Sequence, residues 1–185
     1  MMSGLERDAL VLELIDQLRE HGSWAGETHV QKATYFLQEL TGVPLGFDFI
    51  MYKYGPYSFD LHDELTAMQA NQLLVLKPQL PYGPALLPGE MSPVLKKKFS
   101  KTIDHYGREI RFIAEKLGQK RVAELERLST ALYVASEFAP NKESREDYLV
   151  SFKPHVTKSQ AALAFCELDQ IEDEAKVLGR QMFRP

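Results

Sequence analysis

The chain has 185 residues, 44% hydrophobic and 26% charged, with 22 Lys and Arg against 26 Asp and Glu for a formal net charge of -4. Those proportions exclude a disordered or fibrous chain, and no apolar run reaches the length of about 18 residues that a membrane-spanning helix needs. The single cysteine, Cys166, excludes an internal disulfide and a cysteine-based zinc site.

The opening MMSGLERDAL carries acids early and no long apolar stretch, so it does not read as a signal peptide, and a cytoplasmic location is the expectation. Charge is distributed unevenly. Residues 1–76 hold 4 basic and 11 acidic side chains, residues 93–127 hold 10 and 5, and residues 137–174 hold 4 and 9. Lys176, Arg180 and Arg184 add positive charge near the end. The basic stretch, with Lys96, Lys97, Lys98, Lys101, Arg108 and Arg111, is either a contact for an acidic partner or nucleic acid, or a solvated helix face balanced by the chain's own acids. The net negative charge favours the second reading.

Val11, Leu14, Ile15 and Leu18 recur on one helical face and predict a first helix over 5–20, ended by His21-Gly22. Thr28-His29-Val30-Gln31 has the form of a capping box and predicts a second helix from Thr28, stopped by Gly42 and Pro44. Alternation through Phe47, Phe49 and Met51 predicts a strand over 47–53 buried on at least one side. Tyr54-Gly55-Pro56-Tyr57 reads as a turn, and Ser58 as the N-cap of a helix over 59–69. Leu73 to Leu76 reads as a strand, and Ala85-Leu86-Leu87, among Pro78, Pro81, Pro84, Pro88 and Pro93, as an edge strand paired back on it. This order is that of a winged helix with its hairpin wing over 73–88.

The second half reads as helical. Ser92-Pro93 opens a helix in which Leu95, Phe99, Ile103, Tyr106, Ile110, Ile113 and Leu117 follow at three-four spacing, with a kink or break expected at Gly107 and an end at Gly118. Ile103, Ile110 and Ile113 are expected to pack on Leu125, Leu128 and Leu132 of the next helix, which stops before Pro140, or on the last helix. A short helix over 145–152 and a final one opened by the capping box Thr157-Lys158-Ser159-Gln160 complete the chain. The fold class is therefore α+β, mainly α: a winged-helix-like region over 1–92 and a helical region over 93–185 packed on it as one unit.

Chemistry-bearing patterns are sparse. There is no nucleophile elbow, dinucleotide fingerprint or phosphate loop, and no two of the five histidines stand four apart on a helix. No catalytic residue, metal site or cofactor is assigned, and Cys166 reads as a buried structural cysteine. The helix after the turn, SFDLHDELTAMQ, carries Asp60, Asp63 and Glu64 and no base, so specific duplex DNA binding is not expected of it.

The run KATYFLQELTGVPLGFDFIMYKYGPYSFDLHDELTAMQANQLL resembles the Panacea-domain, SocA-like antitoxin family. Lys32 with Tyr35-Phe36 carries the resemblance, as do Phe49, the string Tyr52-Lys53-Tyr54-Gly55-Pro56-Tyr57-Ser58, Leu61, Leu65 and Leu73-Leu74. It covers about residues 5–77, and Ala33-Thr34 depart from the family's more aliphatic pattern. The resemblance implies a largely helical, non-enzymatic module that neutralises a toxin encoded nearby by direct contact or by delivery to a protease, with no cofactor. Tyr52, Lys53, Tyr54 and Tyr57 are the candidate partner contacts, because tyrosines give large contact area at low entropic cost. Lys32, Gly55, Pro56 and Ser58 are the candidate structural residues. The alternative is a nucleic-acid-binding regulator using the basic 93–127 segment.

Overall fold

The computed structural model describes residues 2–80, 82–138 and 145–182. Met1, Pro81, Pro140 and Arg184, and the side chain of Arg180, lie outside the described residues. In chain order the elements are α1 (Gly4–Glu20), α2 (Glu27–Thr41), β1 (Ile50–Tyr52), β2 (Gly55–Tyr57), α3 (Phe59–Ala70), β3 (Leu74–Gln79), β4 (Tyr82–Pro88), α4 (Ser92–Lys98), α5 (Ser100–Leu117), α6 (Val122–Glu137), α7 (Arg145–Phe152) and α8 (Lys158–Met182). The protein is mainly helical, with β1–β2 and β3–β4 forming two separate antiparallel hairpins. No helix among the described residues is long and apolar enough to cross a membrane.

Helix α1 starts at a capping box, in which the Ser3 hydroxyl accepts from the Glu6 amide and the Glu6 carboxylate accepts from the Ser3 amide. It is buried along several faces, with Leu10, Leu12, Leu14, Ile15 and Leu18 all fully covered by α2, α4, α5 and β4. The capping box expected at Thr28–Gln31 does not form. Gly26 is the N-cap of α2, and Gln31 is buried and spends its amide on the backbone of Ser58. Tertiary demand for that amide outweighs the local cap.

Residues 43–49 alternate in burial as expected, with Val43, Leu45 and Phe47 inside, yet the strand itself covers only 50–52. The Gln38 side chain takes both the Phe47 amide and carbonyl, at 2.9 Å each, in place of a strand partner. Ile50 and Tyr52 are exposed, so β1 is not the half-buried strand expected. The β3–β4 hairpin matches the expected position, with Leu74 opposite Pro88 and Leu76 opposite Leu86, and both strands run longer than expected. Pro78 and Pro84 both fall in the irregular stretch between the Lys77–Ala85 and Gln79–Tyr82 pairs, where the register shifts, which is the kind of place a ladder tolerates proline.

Three expectations about the helical half are corrected. The break in the long seam lies at Phe99, between α4 and α5, while Gly107 sits inside an unbroken α5. Ser92 is the first residue of α4, not its cap, and its hydroxyl donates to the Leu73 carbonyl at 2.5 Å. Cys166 is exposed, because α8 turns Ala161, Ala164, Phe165, Leu168 and Ile171 inward and leaves residue 166 on the other side. The closing helix does begin at the expected Thr157 box, with Gln160 and Thr157 exchanging backbone contacts at 3.0 and 3.2 Å.

The α5 seam is buried at Ile110, Ile113 and Leu117 and only partly buried at Ile103 and Tyr106, and its main partners are α1 and α2, with lesser contact to α8; α6 packs instead on α8, α2, α7 and β2. One cluster of buried side chains therefore runs through both halves of the chain. Ile110 is fully buried within it, and Ile110→Ala is expected to cost about 2–5 kcal/mol in urea unfolding. An unchanged midpoint would contradict its place in the core.

His29 fastens the two halves. Its Nε2–H donates to the Leu117 carbonyl at 2.9 Å, and its Nδ1 accepts from the Ser23 hydroxyl at 2.8 Å. The carbonyl can only accept, which puts a proton on Nε2, and burial of the ring is what keeps it neutral. Burial pulls His29 down to about 4, with the Leu117 carbonyl opposing. The unfolded chain takes up the proton first, so this contribution to stability is full above the ordinary value of 6.5 and is lost as pH falls toward 4. The slope is at most about 1.4 kcal/mol per pH unit. His29→Gln should lack that loss between pH values of about 7 and 5. The readout is wild type minus variant, because Asp8, raised to about 7 by burial and then by Glu64, acts with opposite sign over the same window. Equal slopes for the two proteins would contradict this assignment.

Candidate functional site

The string singled out in the sequence is the β1–β2 hairpin and its exit into α3. Ile50 pairs with Tyr57, Met51 with Pro56, and Tyr52 with Gly55, so the chain reverses over Lys53 and Tyr54. The turn expected over Tyr54 to Tyr57 is thus displaced, and Gly55, Pro56 and Tyr57 form the returning strand. Gly55 has φ 90°, a left-handed conformation that closes such turns and that side chains resist. A Cβ there would also lie 3.0 Å from Ser129 Oγ and 3.2 Å from Thr130 Oγ1. The hairpin is laid this closely on α6.

Two buried lysines hold it from below. Lys32 of α2 is 2% exposed and donates to the Pro56 carbonyl at 2.6 Å. Lys153, one residue past α7, is 3% exposed and donates to the Lys53 carbonyl at 2.6 Å and the Tyr52 carbonyl at 3.3 Å. The Lys153 ammonium also lies 3.1 Å from the buried Glu126 carboxylate, which offsets its charge. Among the described residues Lys32 has no ion pair of that kind. Burial, followed by the positive charge of Lys153, pulls it down to about 8, with Glu126 opposing. Gln31 adds a third anchor, accepting from the Ser58 amide at 3.0 Å and donating to its carbonyl at 2.9 Å. Ser58 caps α3 as expected, its hydroxyl accepting from the Leu61 amide at 3.1 Å.

The outer surface of the hairpin is aromatic. Tyr52, Tyr54 and Phe59 are 53%, 52% and 51% exposed. The rings of Tyr52, Tyr57 and Phe59 lie 5.1 to 5.7 Å apart and form one patch. Exposed Ile50 belongs to the same hairpin, and the Lys53 ammonium lies 5.3 Å from the Tyr54 ring. At the patch edge the Glu27 carboxylate accepts from the Tyr57 hydroxyl at 3.1 Å and contacts His62 Nδ1 at 2.7 Å. Burial and Glu27 push the Tyr57 hydroxyl up to about 12, and the hydrogen bond to Glu27 holds the His62 imidazolium above its ordinary range.

The structure thus brings Tyr52, Lys53, Tyr54 and Tyr57 together over Lys32, Gly55, Pro56 and Ser58. It does not bring the basic candidates to that place. Lys96 is engaged by Glu13 at 2.6 Å and Asp16 at 2.7 Å, while Lys97, Lys98, Lys101, Arg108 and Arg111 are exposed on α4 and α5. Among the described residues no group of three or more His, Cys, Asp or Glu is placed to hold a metal ion. Sequence reading missed Lys153, Glu126, Phe59 and the Glu27–His62 contact. Phe59 directly follows the recognised string, and that adjacency was the one available signal.

No protein-family model matches the chain, and no curated protein matches it.

Proposed function

We propose that the chain is a non-enzymatic protein-binding module of the antitoxin type, which neutralises or delivers a partner protein by direct contact through the β1–β2 hairpin. One observation carries this reading: the exposed rings Tyr52 and Phe59, clustered with Tyr57, and the exposed Tyr54 of the same hairpin sit on backbone fixed by Lys32, Lys153 and Gln31. An exposed aromatic patch on a rigid support loses little entropy on binding, which is how hot-spot residues operate. The Panacea-like resemblance over 5–77 points the same way and names a toxin as the partner class, with a protease system as a second participant.

A winged-helix-like N-terminal part is supported by the β3–β4 hairpin that follows α3. It is also supported by a single bridge between Gly26 and Ala85, which lays the α1–α2 connection along β4. In this reading the β1–β2 hairpin stands between the two helices that would face DNA, and α3 presents Asp60 and Asp63 without a base. The surface suits a protein and repels a polyanion.

The test is capture of the partner by tagged protein from its own cells, comparing wild type with Tyr52→Ala, Tyr54→Ala and Phe59→Ala. All should keep the wild-type melting temperature, and at least one should lose the partner tenfold or more. Full retention by all three would reject the hairpin as the contact. A salt-resistant gel shift with duplex DNA would favour the regulator reading instead.

A further inference from the structure

A cavity of about 300 Å³ lies where the C-terminal end of α2 meets α5 and α8. It shares no residue with the β1–β2 hairpin. Leu40 of α2 and Ala175 and Leu178 of α8 give it apolar walls, and all three pack against the buried core. Glu109 of α5 and Glu172 of α8 line it as well.

Glu109 is the unusual residue of the four elements of this wall. It is 3% exposed, yet among the described residues it makes no ion pair, and its Oε2 is buried without a hydrogen-bond partner. A buried carboxylate is costly until a donor or cation meets it, and a neutral carboxylic acid there would need an acceptor of its own. The surroundings add to the negative potential. Helix α2 ends at Thr41, and the last carbonyls of a helix lack intrahelical donors and carry the negative end of its dipole. Glu172 contributes a second carboxylate. Lys176 is the one cation among the described lining residues; it is 61% exposed and its ammonium is bonded to Asp173 at 2.9 Å, so solvent screens its charge.

We infer that this cavity is a binding site for a small aliphatic amine, a primary ammonium group on a short hydrocarbon stem. The ammonium meets the Glu109 carboxylate and the free carbonyls at the end of α2, which matches its three donors to acceptors. The stem lies against Leu40, Ala175 and Leu178. The lining selects this occupant over others. An anion is repelled, and a neutral alcohol leaves the carboxylate without its charge. A bare metal ion gains nothing from the apolar walls, and among the described residues no group of three or more His, Cys, Asp or Glu is placed to hold one. The site is independent of what the hairpin binds.

Titration calorimetry and thermal melting at constant ionic strength test it, with n-butylammonium chloride as the probe and ammonium chloride, calcium chloride and 1-butanol as comparisons. The probe should bind saturably, at least tenfold more tightly than each of the other three, and raise the melting temperature as it binds. Glu109→Gln keeps the side chain's size and removes the unpaired charge, so it should melt at or above the wild-type temperature and bind the probe tenfold or more weakly. Ala175→Leu, which fills the cavity, should weaken binding equally; if it does not fold, Glu109→Gln decides alone. Asp104→Asn, at an exposed acid of α5 outside the cavity, should leave binding unchanged. No saturable binding, or binding of calcium, ammonium or 1-butanol as tight as that of the probe, would overturn the inference. So would a Glu109→Gln protein that binds like wild type, which would mark an adventitious association with the acidic surface. A Glu109→Gln protein that melts well below wild type would show that the carboxylate already has its partner, and would overturn it too.

Discussion

Replacing Lys153 by alanine is expected to destabilise the protein by about 3–5 kcal/mol, the usual cost of leaving one partner of a buried ion pair alone. Three groups lose their counterpart at once. Glu126 keeps a buried carboxylate whose ammonium stood 3.1 Å away, and the carbonyls of Tyr52 and Lys53 lose their donor. His155, 3.7 Å from the same carboxylate but mostly exposed, is too solvated to replace it. Adding Glu126→Gln to Lys153→Ala should recover part of the loss by removing the stranded charge, while the two carbonyls remain without their donor. Urea unfolding measures both. A loss under about 1 kcal/mol, within the range of a solvated pair, would mean the lysine is not the clamp described.

Gly55→Ala should be the second severe change. The backbone conformation at φ 90° costs a side-chain-bearing residue about 1–3 kcal/mol. Contact adds to that, because the new methyl meets two hydroxyls that cannot easily swing away. Ser129 and Thr130 both donate to the Glu126 carbonyl, at 3.2 and 2.7 Å. The expected total is about 2–4 kcal/mol, with Gly55→Val worse. Gly107→Ala is the control within the same protein: it lies inside α5 with nothing within 4 Å of its added Cβ, and should stabilise by up to about 1 kcal/mol. Gly55→Ala unfolding at the wild-type midpoint would contradict the close seating of the hairpin on α6.

The pattern of these residues explains what was legible in the sequence. Periodicity finds buried faces, and the α1, α3, α5 and α8 faces were readable from it. Periodicity does not say what a face packs on: Ile110 and Ile113 were correctly inside, yet α5 lies chiefly on α1 and α2. Local motifs hold only while nothing distant claims their side chains. Thr157-Lys158-Ser159-Gln160 capped its helix, whereas Gln31, in an equivalent pattern, was taken by Ser58 27 residues away. The hairpin string was legible because Gly-Pro and three tyrosines are unusual together. Lys153 was not, since a lone lysine between Phe152 and Pro154 carries no mark of a contact 100 residues away. Lys32 was marked as structural, but only the fold shows that it is buried and bound to Pro56.

The central claim is that the hairpin touches the partner, and site-specific photocrosslinking reads this most directly. A photoreactive phenylalanine analogue is placed at Tyr54 and, as control, at Leu163, which is 71% exposed on α8, and both proteins are irradiated in their own cells. The account predicts one discrete crosslinked protein from position 54, lost when Tyr52→Ala and Phe59→Ala are added, and none from position 163. No adduct from position 54, or the same adduct from both positions, would contradict it.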